Sequence, residues 1–592
     1  MWTQTFDPLG HLAWSALVAA VPIVFLFWAL AVRKLKGHVA GVCTTAVALL
    51  VAVLVYRMPP ALALASTVQG ALYGLFPIGW IVISAVFLYR ITVETGQFEV
   101  VKNSIASITE DRRLQALLIA FSFGAFLEGA AGFGTPVAIS AAMLVGLGFQ
   151  PLYAAGLCLI ANTAPVAFGA IGTPIVVAGQ VTGLDERLIS QVVGRQLPLL
   201  SVLVPFWLVF TMSGRRGVRE VWPAALVSGG SFAIAQWWTS NYLGPLLPDI
   251  ISSLCSIVCL VLFLRVWKPA RVFRFEGEAA SSRAAAPGRR AALAAWSPFV
   301  VLTILVGNWG IKPVKALLER TTVAFPFPLV HGAIIHPATG QPLPSYYTLN
   351  WLSATGTVIL IAAMVSMALT RMRPADGIRL YGRTLSSLRA PLITISAVLG
   401  FAYIGNSSGM TTTMGMALAS TGRLFPLFSP VLGWLGVFMT GSDTSSNAVF
   451  GRLQAVSAER IGMNPVLAVA ANSSGGVTGK MISPQSIAVA CAATGLVGNE
   501  SGLFRFTIRH SLLLMAVVCV ITFLQANSLR WMLPAERMAL AVAPAPVPVG
   551  GGLAPDALGW VCLLSTVLAV TGIVLALRRR DDTRPQTEMP LS

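Results

Sequence analysis

The sequence predicts an all-α polytopic membrane protein with two inverted-topology repeats, roughly 13 full crossings of a ~30 Å hydrocarbon layer, and further re-entrant or broken helices. Three observations predict it. Only 10% of the 592 residues are charged and 56% are hydrophobic, whereas a soluble domain carries about 25% charged residues. Apolar runs close to the ~20 residues that cross a bilayer recur at 12–32, 39–56, 246–267, 351–370 and 557–577. A set of short motifs also recurs in the same order at nearly constant spacing. A transmembrane β-barrel would instead show short alternating segments.

The charges supply the topology. Of the 40 Lys and Arg, 26 fall in six loops (33–36, 90–113, 215–219, 265–290, 371–389 and 578–584) that belong on one face. Eight fall in the opposing loops at 57, 187–195, 312–320 and 530–537. Basic loops stay on the cytoplasmic side. Arg33, Lys34 and Lys36 follow the first apolar run, so the N-terminus is expected outside. Arg578, Arg579 and Arg580 follow the last, so the C-terminus is expected inside. Opposite ends require an odd number of crossings. The first run lacks a basic leader and reads as an anchor, not a cleaved signal. The net charge of +18 is thus a topology signal with some attraction to anionic lipid, and no nucleic-acid partner is expected.

The repeat carries the architecture. The tetrapeptide Ile83–Val86 returns as Ile395–Val398; Glu128 matches Asp443 and Pro151 matches Pro465. Asn162 and Pro174 match Asn472 and Pro484, and Arg195 matches Arg509. All offsets lie between 310 and 315. Arg90 and Lys102 follow the helix of Ile83, while Arg383 and Arg389 precede that of Ile395, so the two units run in opposite directions. The chain divides into N-terminal crossings at 1–60, repeat one at 61–212, an inter-repeat region at 213–384, repeat two at 385–527, and 528–592 with an exterior loop and a last crossing. The inter-repeat region contains an aperiodic Ala/Gly/Pro/Ser/Arg cytoplasmic linker at 268–292 and a Pro-rich exterior loop at 312–350. A second Pro/Gly-rich exterior loop lies at 541–556.

Four segments depart from uniform apolar helix: 124–136, 161–174, 441–447 and 472–484, each rich in Gly, Pro, Ser, Thr or Asn. Gly and Pro interrupt helices, and interrupted backbone survives at membrane depth only inside protein or beside a watery cavity. Half-helix N-termini there present free N–H groups and a positive dipole end, suited to a carboxylate. The candidate substrate-binding residues are Lys480, Asn162, Thr163, Thr173, Ser442, Thr444, Ser445, Asn472, Ser473, Ser474 and Ser483, whose amide and hydroxyl groups suit a small polar solute. Lys480 is the one Lys or Arg of its segment, and its repeat position holds Ala170. A lone cation at membrane depth is costly. Lys480 is therefore a counter-ion for an anionic substrate, a structural partner of Asp443 or Glu128, or a snorkelling end residue. Glu128 and Asp443 are the candidate proton-coupling residues, since a buried carboxyl holds a proton more readily than an exposed one; for each, a capping or ion-pair role is the alternative. Arg195 and Arg509 read as anchors at helix ends. His510 reads as a helix-end histidine or a member of a proton path.

Other chemistries find no support. Gly479-Lys480 is followed by Met481, not by the Ser or Thr of a phosphate loop, and no predicted strand precedes it. The seven cysteines lie in apolar stretches without metal-ligand spacing, so no metal or cofactor is expected. No nucleophile–base cluster suggests an enzyme. A cation-coupled di- or tricarboxylate carrier and a passive anion channel both fit such an architecture, although one cation favours one carboxylate and paired repeats favour alternating access.

The stretches 124–136, 156–183, 441–454 and 472–510, with 231–236, 248–253 and 269–275, resemble the L-lactate permease family of bacterial monocarboxylate transporters. The likeness covers nearly the whole chain and weakens in the 268–292, 312–350 and 538–556 segments. The resemblance implies uptake of L-lactate and related 2-hydroxymonocarboxylates such as glycolate by proton symport across the bacterial inner membrane. It also implies re-entrant hairpins and unwound helices like those of a wider ion-transporter group.

Overall fold

The computed structural model describes residues 1–534, apart from 30–32, 34, 131, 133–134, 276–286, 310–311, 338–339 and 497–498. The expected loop at 541–556, the crossing at 557–577 and the terminal basic run lie outside the described residues. Helix dominates as hydropathy requires. Among the described residues, eight helices are long and apolar enough to cross a membrane, or nine if the pair Pro151–Ala161 and Val166–Thr182, bent by 66°, forms one span. The expected runs appear as Leu12–Phe27, Gly37–Leu54, Pro248–Val266, Arg289–Trp309 and Thr355–Leu369.

One sequence of elements occurs twice. The first set is a 35-residue helical stretch Pro60–Glu94, the short helix Gln97–Ala106, the limbs Arg112–Ala130 and Thr135–Gly146, the broken pair Pro151–Ala161 and Gly169–Thr182, and a long helix from Glu186. The second is a 35-residue helix Pro374–Ser408, the short helix Met410–Leu418, the limbs Phe425–Thr440 and Asp443–Arg460, the pair Pro465–Lys480 and Pro484–Thr494, and the long helix Glu500–Asn527. The Glu186–Tyr242 ladder is interrupted at Gly214, φ 62°. Beyond it the chain folds back, so that Ser190 donates to the Ser240 carbonyl at 3.0 Å and Gln191 to that of Asn241 at 3.2 Å.

Small residues let these helices approach. A Cβ at Gly74 would sit 2.6 Å from Ser396 Cα, and one at Gly400 3.1 Å from the Thr67 carbonyl. Gly433 meets the Asn472 carbonyl, Gly475 that of Pro430 and Gly479 that of Trp434. This is close packing of the kind that holds helices together where lipid removes the hydrophobic drive. It also corrects one expectation. Gly475, Gly476 and Gly479 do not interrupt their segment; Pro465–Lys480 is continuous, and the break falls at 481–483.

Two further differences concern loops. The 312–350 loop contains strands: Val323–Pro326 pairs antiparallel with Tyr346–Leu349, and Trp2–Thr3 pairs parallel with Ile334–Ile335. Val, Ile, Phe and Tyr favour such extended pairs, and the flanking prolines keep helix out. The described part of the 268–292 linker is strapped to the first limb, because Asp111 accepts from the Phe273 N–H at 2.9 Å and the Phe273 carbonyl accepts from the Arg112 N–H at 3.1 Å.

Candidate functional site

The helix breaks converge on one cavity of about 1060 Å³. Its walls include Gly132, Gly169 and Ala170 from the first set, Ser442–Ser445 and Pro484–Ile487 from the second, and the side chains of Glu128, Asp443 and Lys480. Two helix N-termini point at it. Ser442 caps Asp443–Arg460 by accepting from the Ser445 N–H at 3.2 Å, and Ser483 caps Pro484–Thr494 by accepting from the Ser486 N–H at 3.2 Å. The first turn of a helix leaves N–H groups without intrahelical acceptors, so both ends favour an anion. In the first set the corresponding break is sharper. Ala170, Ile171 and Gly172 have φ of 45°, 55° and 69°, a left-handed run that a β-branched residue rarely adopts.

At the floor Lys480 meets Glu128, with Nζ 2.6 Å from Oε1. Both are buried, Lys480 7% and Glu128 3% exposed. Lys480 ends its helix, where backbone carbonyls favour a cation. Glu128 Oε2 has no hydrogen-bond partner among the described residues. Gly169 makes room for this carboxylate, since a Cβ there would lie 2.6 Å from Oε1. Asp443 is held differently. Its Oδ2 accepts from the Ser473 hydroxyl and, at 3.5 Å, from Asn447 Nδ2, while Oδ1 has no partner among the described residues.

Not every expected residue reaches the cavity. Ser442, Thr444, Ser445 and Lys480 line it with Glu128 and Asp443. Asn472 and Ser473 lie behind it in a buried network. Asn472 donates to Asn447 Oδ1 at 2.8 Å and accepts from Gln454 at 3.1 Å; Asn447 donates onward to the Pro174 carbonyl at 3.0 Å, tying the two sets together. Thr173 donates to the Ala170 carbonyl at 2.6 Å and so staples the left-handed run. Ser483 acts as a cap. Asn162, Thr163 and Ser474 are buried with side-chain polar atoms that lack partners among the described residues, and none lines the cavity. Arg195 anchors helix ends, donating to Asn241 at 2.9 Å and to the Met532 carbonyl at 2.5 Å, and His510 Nδ1 accepts from the Trp207 indole at 2.8 Å.

Sequence reasoning missed several residues here. Gln485 and Ser486 line the wall and carried no signal beyond following Pro484. Lys36, His38, Glu500 and Ser501 also line it. Asp249, in the first turn of Pro248–Val266, is 1% exposed, and neither carboxylate oxygen has a partner among the described residues. An acid in an otherwise apolar helix was a signal that could have found it.

Interrupted helices closing on a cavity that holds a buried cation, within a multi-pass helical membrane protein, are the arrangement of a membrane transporter. The comparisons give the family. The model of the L-lactate permease family matches residues 15–529. The L-lactate permease of Bacillus subtilis is 57% identical over 562 residues, 90% of this chain and 100% of that protein. The L-lactate permease of Escherichia coli is 56% identical over 550 residues, with the same coverage. The glycolate permease GlcA of Escherichia coli is 55% identical over 548 residues, 89% of this chain and 98% of that protein. The chain belongs to the L-lactate permease family.

Proposed function

We propose that this protein imports L-lactate and related 2-hydroxymonocarboxylates such as glycolate by proton symport across the bacterial inner membrane. The names of its relatives support the substrate class. The observation that carries the mechanism is the Lys480–Glu128 pair on the cavity floor. A substrate carboxylate competes with Glu128 for the same ammonium. Two anions sharing one buried cation is an unfavourable arrangement, but if Glu128 takes a proton as the substrate enters, the floor keeps one cation and one anion. One carboxylate then moves with one proton, and the net charge of the site is the same empty and loaded. The helix N-termini at Ser442–Ser445 and Pro484–Ile487 share the carboxylate, and hydroxyls of Ser442, Thr444 and Ser445 accept or donate to the 2-hydroxyl.

Alternating access follows from the two inverted repeats at 61–212 and 385–527, a reading supported by the repeated order of elements. With the basic loops in the cytoplasm, Lys36 and Arg389 mark the inner side, and the rim formed by Lys36, His38 and Ala390 makes this an inward-open conformation. In it the polar groups of Asn162, Thr163 and Ser474, which lack partners among the described residues, are in reserve for the outward-open one. The test is lactate uptake into proteoliposomes under imposed pH or sodium gradients. Accumulation driven by the pH gradient alone is the expected result; accumulation that follows sodium, or flux that never exceeds equilibration, overturns the symport reading.

A further inference from the structure

We propose that Asp249 is a proton relay serving Glu128 from the side of the membrane opposite the cavity mouth. The proposal rests on the proton-symport reading and adds the group that delivers the proton.

Asp249 belongs to neither repeat; it sits in the inter-repeat helix Pro248–Val266. That helix packs on the limb that carries Glu128, so closely that a Cβ at Gly129 would lie 2.7 Å from Asp249 Cβ. The preceding loop is equally close, with the Pro245 carbonyl against Gly172 in the left-handed break. The charged groups acting on Asp249 are Glu128 and Lys480. Glu128 lines the cavity and Asp249 does not; Asp249 packs on Gly129, the residue that follows Glu128 in the chain.

Burial without a donor strongly disfavours an ionised carboxylate. Asp249 is therefore placed to hold a proton, whereas the Glu128 carboxylate has the Lys480 ammonium at 2.6 Å as its partner. A candidate proton donor and acceptor thus lie on packed segments, and Glu128 Oε2 has no hydrogen-bond partner among the described residues. Transfer breaks the O–H bond of Asp249 and forms one on Glu128. The neutral Glu128 releases Lys480 to the substrate carboxylate, and Asp249 is reprotonated from its own side. That side is the exterior. Asp249 lies 16 residues before Arg265, about 24 Å along the helix axis, and the basic residues Lys268, Arg271 and Arg274 follow Arg265.

The experiment uses the full chain in proteoliposomes, as wild type, Asp249→Asn and Asp249→Glu. Three signals are read: lactate accumulation under an imposed proton gradient, lactate counterflow without a gradient, and lactate-evoked proton uptake by an internal pH dye. Asp249→Asn is expected to lose accumulation and the dye signal while keeping counterflow, and Asp249→Glu to restore all three. A pH-driven wild type with an equally driven Asp249→Asn overturns the relay and leaves symport standing. Loss of counterflow in both variants marks Asp249 as structural and also overturns it. A wild type indifferent to the pH gradient overturns proton coupling itself, and the relay with it.

Discussion

Glu128, near the end of the limb Arg112–Ala130, and Asp443, at the start of the limb Asp443–Arg460, both flank a break between limbs, yet they are held by opposite means. Glu128 faces a cation, Lys480, at 2.6 Å. Asp443 faces neutral donors, Ser473 and Asn447. An ion pair is sensitive to any competing anion, because the ammonium has a choice of partners. A carboxyl held by a hydroxyl and an amide has no such competitor. Under the proposed symport, coupling would be built asymmetrically: the first set would supply the acid that switches, and the second the cation and a polar wall.

The comparison breaks first at Glu128. Replacing it by Gln is expected to abolish pH-driven lactate accumulation while lactate exchange continues, since exchange moves no net proton. Unchanged accumulation in Glu128→Gln removes it from the role. A pH series sharpens the point. If protonation of Glu128 frees Lys480, lactate affinity rises with acidification, and in Glu128→Gln the dependence flattens. A wild-type affinity that falls with acidification reverses the sign and refutes the scheme.

Next comes the cation. Lys480→Ala removes a charge-assisted contact worth about 1.5–3 kcal/mol, so lactate binding should weaken roughly tenfold to a hundredfold. Lys480→Arg should rescue only in part, because a planar fork fills the space of a point charge poorly. Normal affinity in a folded Lys480→Ala protein would make the pair purely structural.

Gly169→Ala should act more gently. Its Cβ would come within 2.6 Å of Glu128 Oε1, and such overpacking costs about 1–3 kcal/mol. The expected signature is slower proton-coupled uptake with ordinary expression, and an unaltered rate would show that Glu128 has room to spare. Asp443→Asn should be the mildest. Losing one neutral hydrogen bond costs about 1 kcal/mol, a factor of about five in affinity. If accumulation instead vanishes in Asp443→Asn, the asymmetry is inverted and Asp443 is the carrier.

Much of this was readable from residue types. Glycines and prolines among polar side chains marked the cavity segments, and Lys480, Glu128 and Asp443 stood out because ions at membrane depth are expensive. The rest depended on contacts between distant parts of the chain. Gly475 and Gly479 look like helix breakers until Pro430 and Trp434 are found against them. Asn472 and Ser473 look like ligand groups until Asn447 and Asp443 occupy them. Asp249 was visible as a lone acid, but its meaning appears only when Gly129 brings its helix beside Glu128. Polar residues announce a site; which of them face the solute is decided by packing.

The strands of the 312–350 loop bear on the question of what moves. Gln4 donates to the Asn406 and Ser407 carbonyls at the end of one 35-residue helix, at 3.0 and 2.7 Å. Tyr347 donates to the Phe76 carbonyl inside the other at 3.1 Å, and the two helices are already in backbone contact at Gly74. They form a yoke, laced across one end. Any rocking that carries solute across the membrane then falls to the paired limbs and broken helices hung from it. Cross-links laid within the yoke should leave transport intact, while one laid between the yoke and those limbs should lock it.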